Sequence, residues 1–471
     1  MENRKNILLT GATGIMGFEG FRQLLQNESF YLTLLVKPGR KNRKKLKKYL
    51  NHNRVRIVWG DLQSYADIEN AMQGIDIVLH VGGMVSPKAD KYPELTMRVN
   101  VLSVRNIVDA IKSQPDPGRV KLVYIGSVAQ MGHKDVPDHF GCTSDIMNPA
   151  RFDHYAVSKI MAEKVIAESG LQYWVSLRQT GILYPGLVLK GMDSITFHVP
   201  LKGVLEWVTL EDSGRVLVKL CEKDLPEDFW RKFYNISSGK SFRMTNYEFE
   251  SRLLRVISCP PPEKIFEPKW FATKNFHGCW YSDAGLLEQY LNFRGTISSD
   301  DYFQNVIKSK IPWYFKIIPF IPPVIIKAAL RKIAHGKGEG TMHWIKSNDQ
   351  QKIETYFESR EEWEKIPGWK DFDKTGPDKS RQNDKEKHPL FSKPVQEWGI
   401  GDMKNYAAYL NGRCLSDSMS KGDIDTSLYW ENESGDRFHA SPRYVVFGGY
   451  FPDHTLWSEI ARYSGMLGLE N

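Results

Sequence analysis

The chain has few cysteines and no metal-binding pattern. Five cysteines are scattered along 471 residues. An odd and scattered set argues against a disulfide framework and indicates a reducing compartment. The sequence also lacks a C-x-x-C pair and an H-E-x-x-H segment, so we expect no metal site. The cysteines are Cys142, Cys221, Cys259, Cys279 and Cys414.

Long uninterrupted apolar runs are also missing. Residues 1–6 lead directly into a strand, so we expect no signal peptide and a cytoplasmic protein. Ile311–Leu330 is apolar, but prolines break it and it contains Lys316 and Lys327, which argues against a membrane-spanning helix. We interpret it as a hydrophobic lid or a subunit contact. A subunit contact would be compatible with a homodimer. Attachment to a membrane surface is the less favoured alternative.

Positive charge is concentrated in one short segment. The formal net charge is +8, and much of it lies within residues 40–48. A nucleic-acid surface is one interpretation of such a run, and a solvated helix face is the other. We expect a small-molecule substrate and no nucleic-acid partner.

Apolar runs and helical patterns alternate through the first half of the chain. This alternation predicts an α/β fold of the Rossmann type, a doubly wound parallel sheet with its ligand at the C-terminal strand ends. We assign residues 1–185 to this domain, completed by about 205–239. Residues 186–204 and 240–300 form a smaller substrate region. The predicted strands are Asn6–Leu9, Tyr31–Val36, Val55–Trp59, Ile75–His80, Lys121–Ile125, Tyr173–Leu177 and Phe233–Ser237.

Residues 301–471 form an additional C-terminal region. It is rich in aromatic residues, which a free tail would rarely keep exposed. We expect it to pack on the core and to close one side of the substrate cleft, with Ile311–Leu330 as the apolar contact. The polar segment Gly368–Pro389 is expected to be a surface loop or linker.

A glycine-rich turn follows the first strand. Gly11, Gly14 and Gly17 are spaced G-x-x-G-x-x-G between a buried strand and a helix. In this arrangement the first glycine allows the tight turn, the second lets a pyrophosphate approach, and the third lets helix and strand pack closely. The free N–H groups of the helix then face the phosphates.

A tyrosine and a lysine share one face of a predicted helix. Tyr155 and Lys159 are four residues apart, and an ammonium near a phenol is expected to lower the pKa of the tyrosine. Ser127 follows a buried strand and is expected at the mouth of the ligand crevice. Its hydroxyl can hold the substrate oxygen with which Tyr155 exchanges a proton.

Taken in order, these segments resemble the extended short-chain dehydrogenase/reductase superfamily, which includes the NAD-dependent epimerases and dehydratases. The resemblance covers roughly residues 6 to 300. The matching segments are Thr10–Gly17, Gly60–Leu62, His80–Gly83, Asn100–Val101, Gly126–Gly132, Tyr155–Lys159, Leu183–Gly186 and Tyr234–Gly239.

The resemblance implies roles for the matched residues. Tyr155 would be the general acid/base, Lys159 would hold the nicotinamide ribose, and Ser127 would orient the reacting group. Asn100 would support the catalytic site, with a helix-cap role as its alternative. Asp61 would bind the adenine amino group. The other implied cofactor contacts are Gly11, Thr13, Gly14, Ile15, Met16, Gly17, Leu62, Val81, Gly82, Gly83 and Pro185.

The residues after the second strand favour NADP over NAD. An acidic residue there would accept a hydrogen bond from the ribose 2′-hydroxyl, whereas this chain has Lys37, Arg40 and Lys41. Basic side chains pair with a 2′-phosphate, and arginine can do so bidentately.

Our interpretation is an NADP-dependent oxidoreductase that reduces a carbonyl, or oxidises the matching alcohol, on an apolar substrate. A sugar-nucleotide epimerase with tightly bound cofactor is the first alternative. A non-catalytic NADP-binding sensor or scaffold is the second. The 4,6-dehydratases of the family carry an acidic pair after the catalytic hydroxyl, whereas Val128 and Ala129 follow Ser127 here.

Overall fold

The sheet at the centre of the molecule has seven parallel strands. The structure is a computed structural model that describes residues 4–134, 139–379 and 388–469. From edge to edge the strands are Lys232–Ile236, Trp174–Gln179, Lys121–Ser127, Ile77–His80, Lys5–Thr10, Phe30–Val36 and Val55–Trp59. The strand order reverses beside Lys5–Thr10, which places a ligand crevice at its C-terminal end. The predicted doubly wound α/β fold is confirmed.

Helices cover both faces of this sheet, because the strands are apolar on both sides and must be buried on both. One face carries Tyr65–Met72, Ser103–Lys112 and His154–Ala167. The other carries Ile15–Leu24, Leu210–Glu222 and Ala284–Leu291. The basic run forms a further helix, Arg40–Leu46, whose Arg43 guanidinium lies 4.5 Å from the ring centroid of Trp59.

Short strand pairs and helices connect the sheet to a smaller lobe. Ile182–Leu183 pairs with Val208–Thr209, and Val204–Glu206 pairs with Arg243–Thr245. Phe140–Gly141 pairs with Trp280–Tyr281. The remaining helices before residue 302 are Lys88–Lys91, Pro93–Met97, Gly186–Lys190, Ile195–His198, Asn246–Val256, Pro262–Ile265 and Ser299–Asp301.

Residues 323–372 pack on the smaller lobe. Their apolar side chains, such as Trp344 and Phe357, share a core with Phe197 and Phe271. The helices here are Pro323–Ala334, Thr341–Ser347, Gln350–Phe357 and Arg360–Glu364.

Residues 390–469 pack instead on the face of the sheet that carries the helices Ser103–Lys112 and His154–Ala167. Trp398, Trp430 and Tyr444 belong to the same apolar core as Ile160 and Ile107. The segment contains helices Ile400–Tyr409, Pro442–Gly448 and His454–Leu467, and an antiparallel sheet of Arg413–Cys414, Leu428–Glu431 and Arg437–Ala440.

The apolar segment Ile311–Leu330 differs from our expectation of a buried contact. Several of its large side chains, including Trp313 and Phe320, face solvent, while Phe315 and Ile311 pack inward. Its first half is a 3-10 helix, Trp313–Phe320. Residues 380–387, within the predicted loop Gly368–Pro389, lie outside the described residues. Across the three described ranges, no helix is both long and apolar enough to span a membrane.

Candidate active site

The glycine turn packs tightly against the next strand end. Gly11 has φ of +70°, and a Cβ there would lie 2.7 Å from the backbone nitrogen of Gly82. A Cβ on Gly17 would lie 2.2 Å from the Gly11 carbonyl oxygen. No side chain caps the helix Ile15–Leu24, which begins after Gly14. Its first N–H groups are therefore available to a phosphate.

A buried histidine holds the loop Val81–Gly83 in place. His80 Nδ1 lies 2.8 Å from Thr10 Oγ1, which also accepts a hydrogen bond of 3.0 Å from the Gly82 N–H. Burial lowers the pKa of His80 to about 3, with the nearby positive charge of Lys159 as a smaller cause. His80 is therefore neutral at physiological pH. Our sequence analysis used His80 only as part of a motif and missed this support role.

The end of the second strand brings Lys37 to Asp61. Lys37 Nζ donates a 2.7 Å hydrogen bond to Asp61 Oδ2. Burial acts to raise the pKa of Asp61, but the hydrogen bonds from Lys37 and Gln63 outweigh it and lower that pKa. Leu62 lies beside the glycine loop, with its Cδ1 2.8 Å from the position of a Cβ on Gly82. Lys37 is therefore already paired in this structure.

The other predicted contacts around the turn are placed as follows. Arg40 and Lys41 are exposed at the start of the helix Arg40–Leu46. The carbonyl oxygen of Thr13 accepts a 3.0 Å hydrogen bond from Lys45 Nζ. Ile15 is exposed and Met16 is buried. Arg40 and Lys41 therefore remain available to an anionic ligand. The sequence analysis did not single out Lys45.

Ser127, Tyr155 and Lys159 meet at the end of the strand Lys121–Ser127. The Ser127 hydroxyl lies close enough to the Tyr155 phenol to act on its pKa. Ser127 Oγ also accepts a 3.2 Å hydrogen bond from the Ala129 N–H. Lys159 Nζ donates to the carbonyl oxygen of Ile125 at 2.8 Å and lies 5.9 Å from the Tyr155 ring centroid.

The pKa values of this group differ from our expectation. Burial raises the pKa of Tyr155 to about 12, and only the Ser127 hydrogen bond opposes that rise appreciably. Burial also lowers the pKa of Lys159 to about 8, against the effect of the Glu163 carboxylate. The predicted lowering of the tyrosine pKa by Lys159 is therefore absent, because the ammonium points to the Ile125 carbonyl.

Asn100 connects the loop after His80 to the helix of Tyr155. Its amide donates to Met84 O at 3.0 Å and to Ser158 Oγ at 2.8 Å, and its Oδ1 accepts from the Met84 N–H at 2.7 Å. It lies within a π-helical turn, Arg98–Leu102. A Cβ on Gly83 would lie 2.9 Å from Asn100 Oδ1 and 3.7 Å from Lys159 Nζ. Asn100 therefore supports the loop that faces Lys159 and does not cap a helix.

A buried polar layer lies beneath the serine. The Ser127 N–H donates to Gln130 Oε1 at 3.0 Å, and Gln130 Nε2 donates to Glu163 Oε1 at 3.0 Å. Arg178 donates to both oxygens of Glu163 and, at 2.7 Å, to the Gly448 carbonyl oxygen. Sequence reasoning missed Gln130, Glu163 and Arg178. Gln130 lies in the matched segment Gly126–Gly132, where it was given no role, and the only sequence signal for Glu163 and Arg178 was a charged residue within an otherwise apolar segment.

Pro185 lies where the predicted substrate region begins. It directly precedes the short helix Gly186–Lys190, next to the strand Ile182–Leu183. Leu183 and Val188 belong to an apolar cluster with Phe242 and Met244. This arrangement places apolar side chains on both sides of the turn.

Within residues 4–134, 139–379 and 388–469, no cluster of three His, Cys, Asp or Glu side chains could hold a metal ion.

Comparison with known proteins finds a family model that matches the first part of the chain. Residues 7–186 match the model of the NAD dependent epimerase/dehydratase family. UDP-glucose 4-epimerase of Rickettsia typhi is 27% identical over 110 residues, which are 22% of this chain and 32% of the relative. An inverting UDP-N-acetylglucosamine 4,6-dehydratase of Campylobacter jejuni is 29% identical over 111 residues, 23% of this chain and 33% of the relative. The matched residues thus span about a third of these relatives.

Solved structures of similar shape cover more of the chain. A dTDP-glucose 4,6-dehydratase of Bacillus anthracis in complex with NAD has a TM-score of 0.52 and 17% identity, and covers 66% of this chain and 97% of its own. UDP-glucuronic acid 4-epimerase of Bacillus cereus in complex with UDP-glucuronic acid and NAD has a TM-score of 0.53 and 16% identity. The match covers 66% of this chain and 99% of the epimerase chain. At this identity the likeness shows the fold. Residues 7–186 are thus similar to the NAD dependent epimerase/dehydratase family model, and the chain shares its fold with these solved structures.

Proposed function

We propose that the protein is a nicotinamide-dependent enzyme that interconverts a hydroxyl and a carbonyl group on one carbon atom. The hydroxyl pair of Ser127 and Tyr155, with Lys159 beside it, carries this proposal. We further propose a sugar nucleotide as substrate and epimerisation as the net reaction. The curated relatives and the similar structures, among them sugar-nucleotide epimerases, support this choice over the carbonyl reductase that we first favoured.

The residues around the glycine turn fit a dinucleotide. Side chains are excluded at Gly11 and Gly17, and the helix Ile15–Leu24 begins without a side-chain cap. Its N–H groups would hold the pyrophosphate, and Asp61 and Leu62 would lie at the adenosine end. Val81, Gly82, Gly83 and Pro185 would lie along the cofactor, and Lys159 would hold the ribose. When bound, the nicotinamide supplies the hydride acceptor and donor.

Ser127, Tyr155 and Lys159 would bind the substrate oxygen and exchange its proton. Ser127 Oγ can donate a hydrogen bond to that oxygen, and Tyr155 can donate or accept the proton. With its pKa raised to about 12, Tyr155 is a neutral phenol at pH 7 and is ready to protonate a carbonyl oxygen during reduction. In the oxidation step a phenolate must form. The Lys159 ammonium would stabilise it by turning from the Ile125 carbonyl oxygen, to which it donates here, toward the phenol.

An epimerase fits this site better than a dehydratase. Loss of water from a sugar needs a further acid and base close to the reacting hydroxyl. Here Val128 and Ala129 follow Ser127, and both are buried apolar residues. Redox chemistry on a single hydroxyl requires the nicotinamide as hydride acceptor and no side chain beyond Ser127, Tyr155 and Lys159.

Reduction of an apolar carbonyl compound is the second candidate. The turn that contains Pro185 packs on apolar residues that also contact the segment after residue 310, including Ile311 and Phe315. Residues 323–372 cover Phe197 and Leu201 of the substrate region. We propose that this part of the C-terminal region is the cover of the substrate cleft, and that it excludes water from the site.

The cofactor proposal is NADP, with NAD as the alternative. Arg40 and Lys41 are the exposed cations at the end of the second strand, and they could pair with a 2′-phosphate. Lys37 would have to leave Asp61 to join them. The similar solved structures were determined with NAD, which supports the alternative.

The two candidate reactions differ in their use of cofactor. An epimerase regenerates its dinucleotide in each turnover, whereas a reductase consumes NADPH. We would incubate the purified protein with UDP-glucose, UDP-galactose and UDP-glucuronic acid and follow the products by NMR. Epimer formation without net cofactor oxidation supports the main proposal. NADPH oxidation with apolar ketones alone supports the second. If the protein binds the cofactor but turns over neither sugar nucleotides nor apolar ketones, the result supports the sensor or scaffold hypothesis.

A further inference from the structure

We propose that the segment Trp313–Ile325 docks the protein onto an anionic membrane surface. We call its exposed side chains the apolar patch: Trp313, Tyr314, Ile317, Phe320, Val324 and Ile325. Three of them are almost as exposed as in an extended chain, with exposed fractions of 79% for Trp313, 85% for Phe320 and 71% for Val324. This inference concerns where the enzyme works and is independent of its proposed reaction.

The helical geometry presents the patch on one face. Trp313–Phe320 is a 3-10 helix, in which residues three apart lie above one another. Tyr314, Ile317 and Phe320 therefore form one outward row. Phe315 lies on the inward row and packs on the apolar cluster that contains Leu183. The inward row anchors the segment while the outward row stays in solvent, so the exposure is built into the fold.

The charged residues of the segment that carries the patch are all basic. Residues 302–338 contain no Asp or Glu. Lys327 pairs with Glu267, and the other cations of this segment are exposed. Such a ring of cations around aromatic and aliphatic side chains is complementary to a surface with anionic headgroups above an apolar interior. The seven cations are Lys308, Lys310, Lys316, Lys327, Arg331, Lys332 and Lys337.

The same charges argue against a second copy of the chain as the occupant. In a two-fold symmetric contact each patch would face its own equivalent. The basic residues around the patch would then face one another, and like charges would repel. A membrane surface with anionic lipids satisfies both the apolar side chains and the cations. No helix among the described residues is suited to cross the membrane, so the contact is interfacial.

The docking places the substrate side of the molecule near the lipid. Ile326 and Leu330, on the helix that follows the patch, pack with Phe197 and Leu201 of the substrate region. A membrane-docked enzyme would therefore meet substrates that reside at the lipid surface on this side of its sheet. This consequence holds for either candidate reaction.

Vesicle flotation with the full chain tests the proposal. We would compare vesicles of phosphatidylcholine alone with vesicles that also contain phosphatidylserine. The protein is expected to float with the anionic vesicles, and the bound fraction is expected to fall as salt is added. The variant Trp313→Ser/Phe320→Ser/Val324→Ser is expected to stay with the soluble fraction. Leu50→Ser, another exposed apolar residue, is the control that should bind as the wild type does.

A second pair of variants tests the charges. Lys308→Gln/Lys316→Gln/Arg331→Gln should weaken binding to anionic vesicles by about tenfold or more. Lys44→Gln/Lys47→Gln/Lys48→Gln removes the same charge from the other basic segment and should leave binding nearly unchanged. Circular dichroism and thermal melting would confirm that each variant folds. Brominated phosphatidylcholine should quench part of the tryptophan fluorescence, and Trp313→Phe should remove that part.

The proposal is overturned by any of three results. These results are an intact protein that stays unbound at low salt, a serine variant that binds as well as the wild type, and two glutamine variants that weaken binding equally. Light scattering that shows a dimer, converted to monomer by the serine variant and accompanied by no vesicle binding, would assign the patch to a second copy of the chain.

Discussion

Arg178 and Glu163 form a fully buried ion pair between the central sheet and the helix that carries Tyr155 and Lys159. Arg178 Nη2 lies 2.6 Å from Glu163 Oε1, and neither side chain is exposed. The same guanidinium reaches the Gly448 carbonyl oxygen in the C-terminal region. Glu163 in turn accepts from Gln130, which accepts from the backbone of Ser127. The pair thus connects residues 390–469 to the catalytic serine.

Removal of one partner of this pair should be strongly destabilising. Arg178→Ala leaves Glu163 buried and unpaired, and we expect a loss of about 3–5 kcal/mol in the free energy of unfolding. Denaturant titration measures it. Lys219→Ala, in the solvent-exposed pair with Glu222, is the control and should cost less than about 1 kcal/mol. Equal losses for the two variants would contradict the role given to Arg178.

Tyr155→Phe should remove most of the turnover. The phenol is the group that we propose exchanges a proton with the substrate oxygen, so kcat should fall by roughly 10²-fold or more while dinucleotide affinity stays nearly unchanged. Tyr234→Phe removes another buried tyrosine hydroxyl, one that donates to the Phe229 carbonyl oxygen, and should leave kcat close to wild type. Turnover by Tyr155→Phe close to that of the wild type would exclude this mechanism.

Lys159 should give the reaction a pH limit. Burial lowers the pKa of Lys159 to about 8, so its ammonium is present below that pH and lost above it. We expect kcat/KM to decline above about pH 8. Lys159→Arg keeps its charge at high pH, so whatever activity this variant retains should lack the decline. A decline of the same midpoint in Lys159→Arg would assign it to another group.

Arg40 and Lys41 should determine the choice between NADPH and NADH. We expect NADPH to bind at least about tenfold more tightly, a difference of roughly 1.4 kcal/mol. Arg40→Ala/Lys41→Ala should abolish this preference by weakening NADPH binding alone, because NADH lacks the 2′-phosphate. Lys47→Ala/Lys48→Ala, at the end of the same basic segment, is the matched control. Fluorescence titration measures each affinity, and a wild-type preference for NADH would refute the assignment.

Glu250 should make the protein less stable as pH rises. Burial raises the pKa of this carboxyl to about 8, above its ordinary value of 4.5. The folded state therefore holds a proton that the unfolded state has released between these two values, and stability falls as pH rises through this window. Glu250→Gln should flatten the dependence of the melting temperature on pH between 5 and about 8. An unchanged slope in this variant would show that Glu250 titrates normally.

The sequence by itself determined the sheet and the glycine turn, and it predicted that Ser127, Tyr155 and Lys159 lie together. Strands buried on both faces are continuous apolar runs, and the G-x-x-G-x-x-G and Y-x-x-x-K spacings are local, so both can be read along the chain. The strand Val55–Trp59 begins and ends where the sequence predicted it.

Only the tertiary structure decided which distant side chains meet. The contact of Arg178 with Gly448 joins residues 270 positions apart, and no periodicity encodes such a pairing. The pKa of Tyr155 depends on how deeply the fold buries it and on where Lys159 points, which the spacing of the two residues does not specify. The exposure of Trp313 and Phe320 was likewise decided by packing, because an apolar segment has the same composition whether a fold buries it or leaves it in solvent.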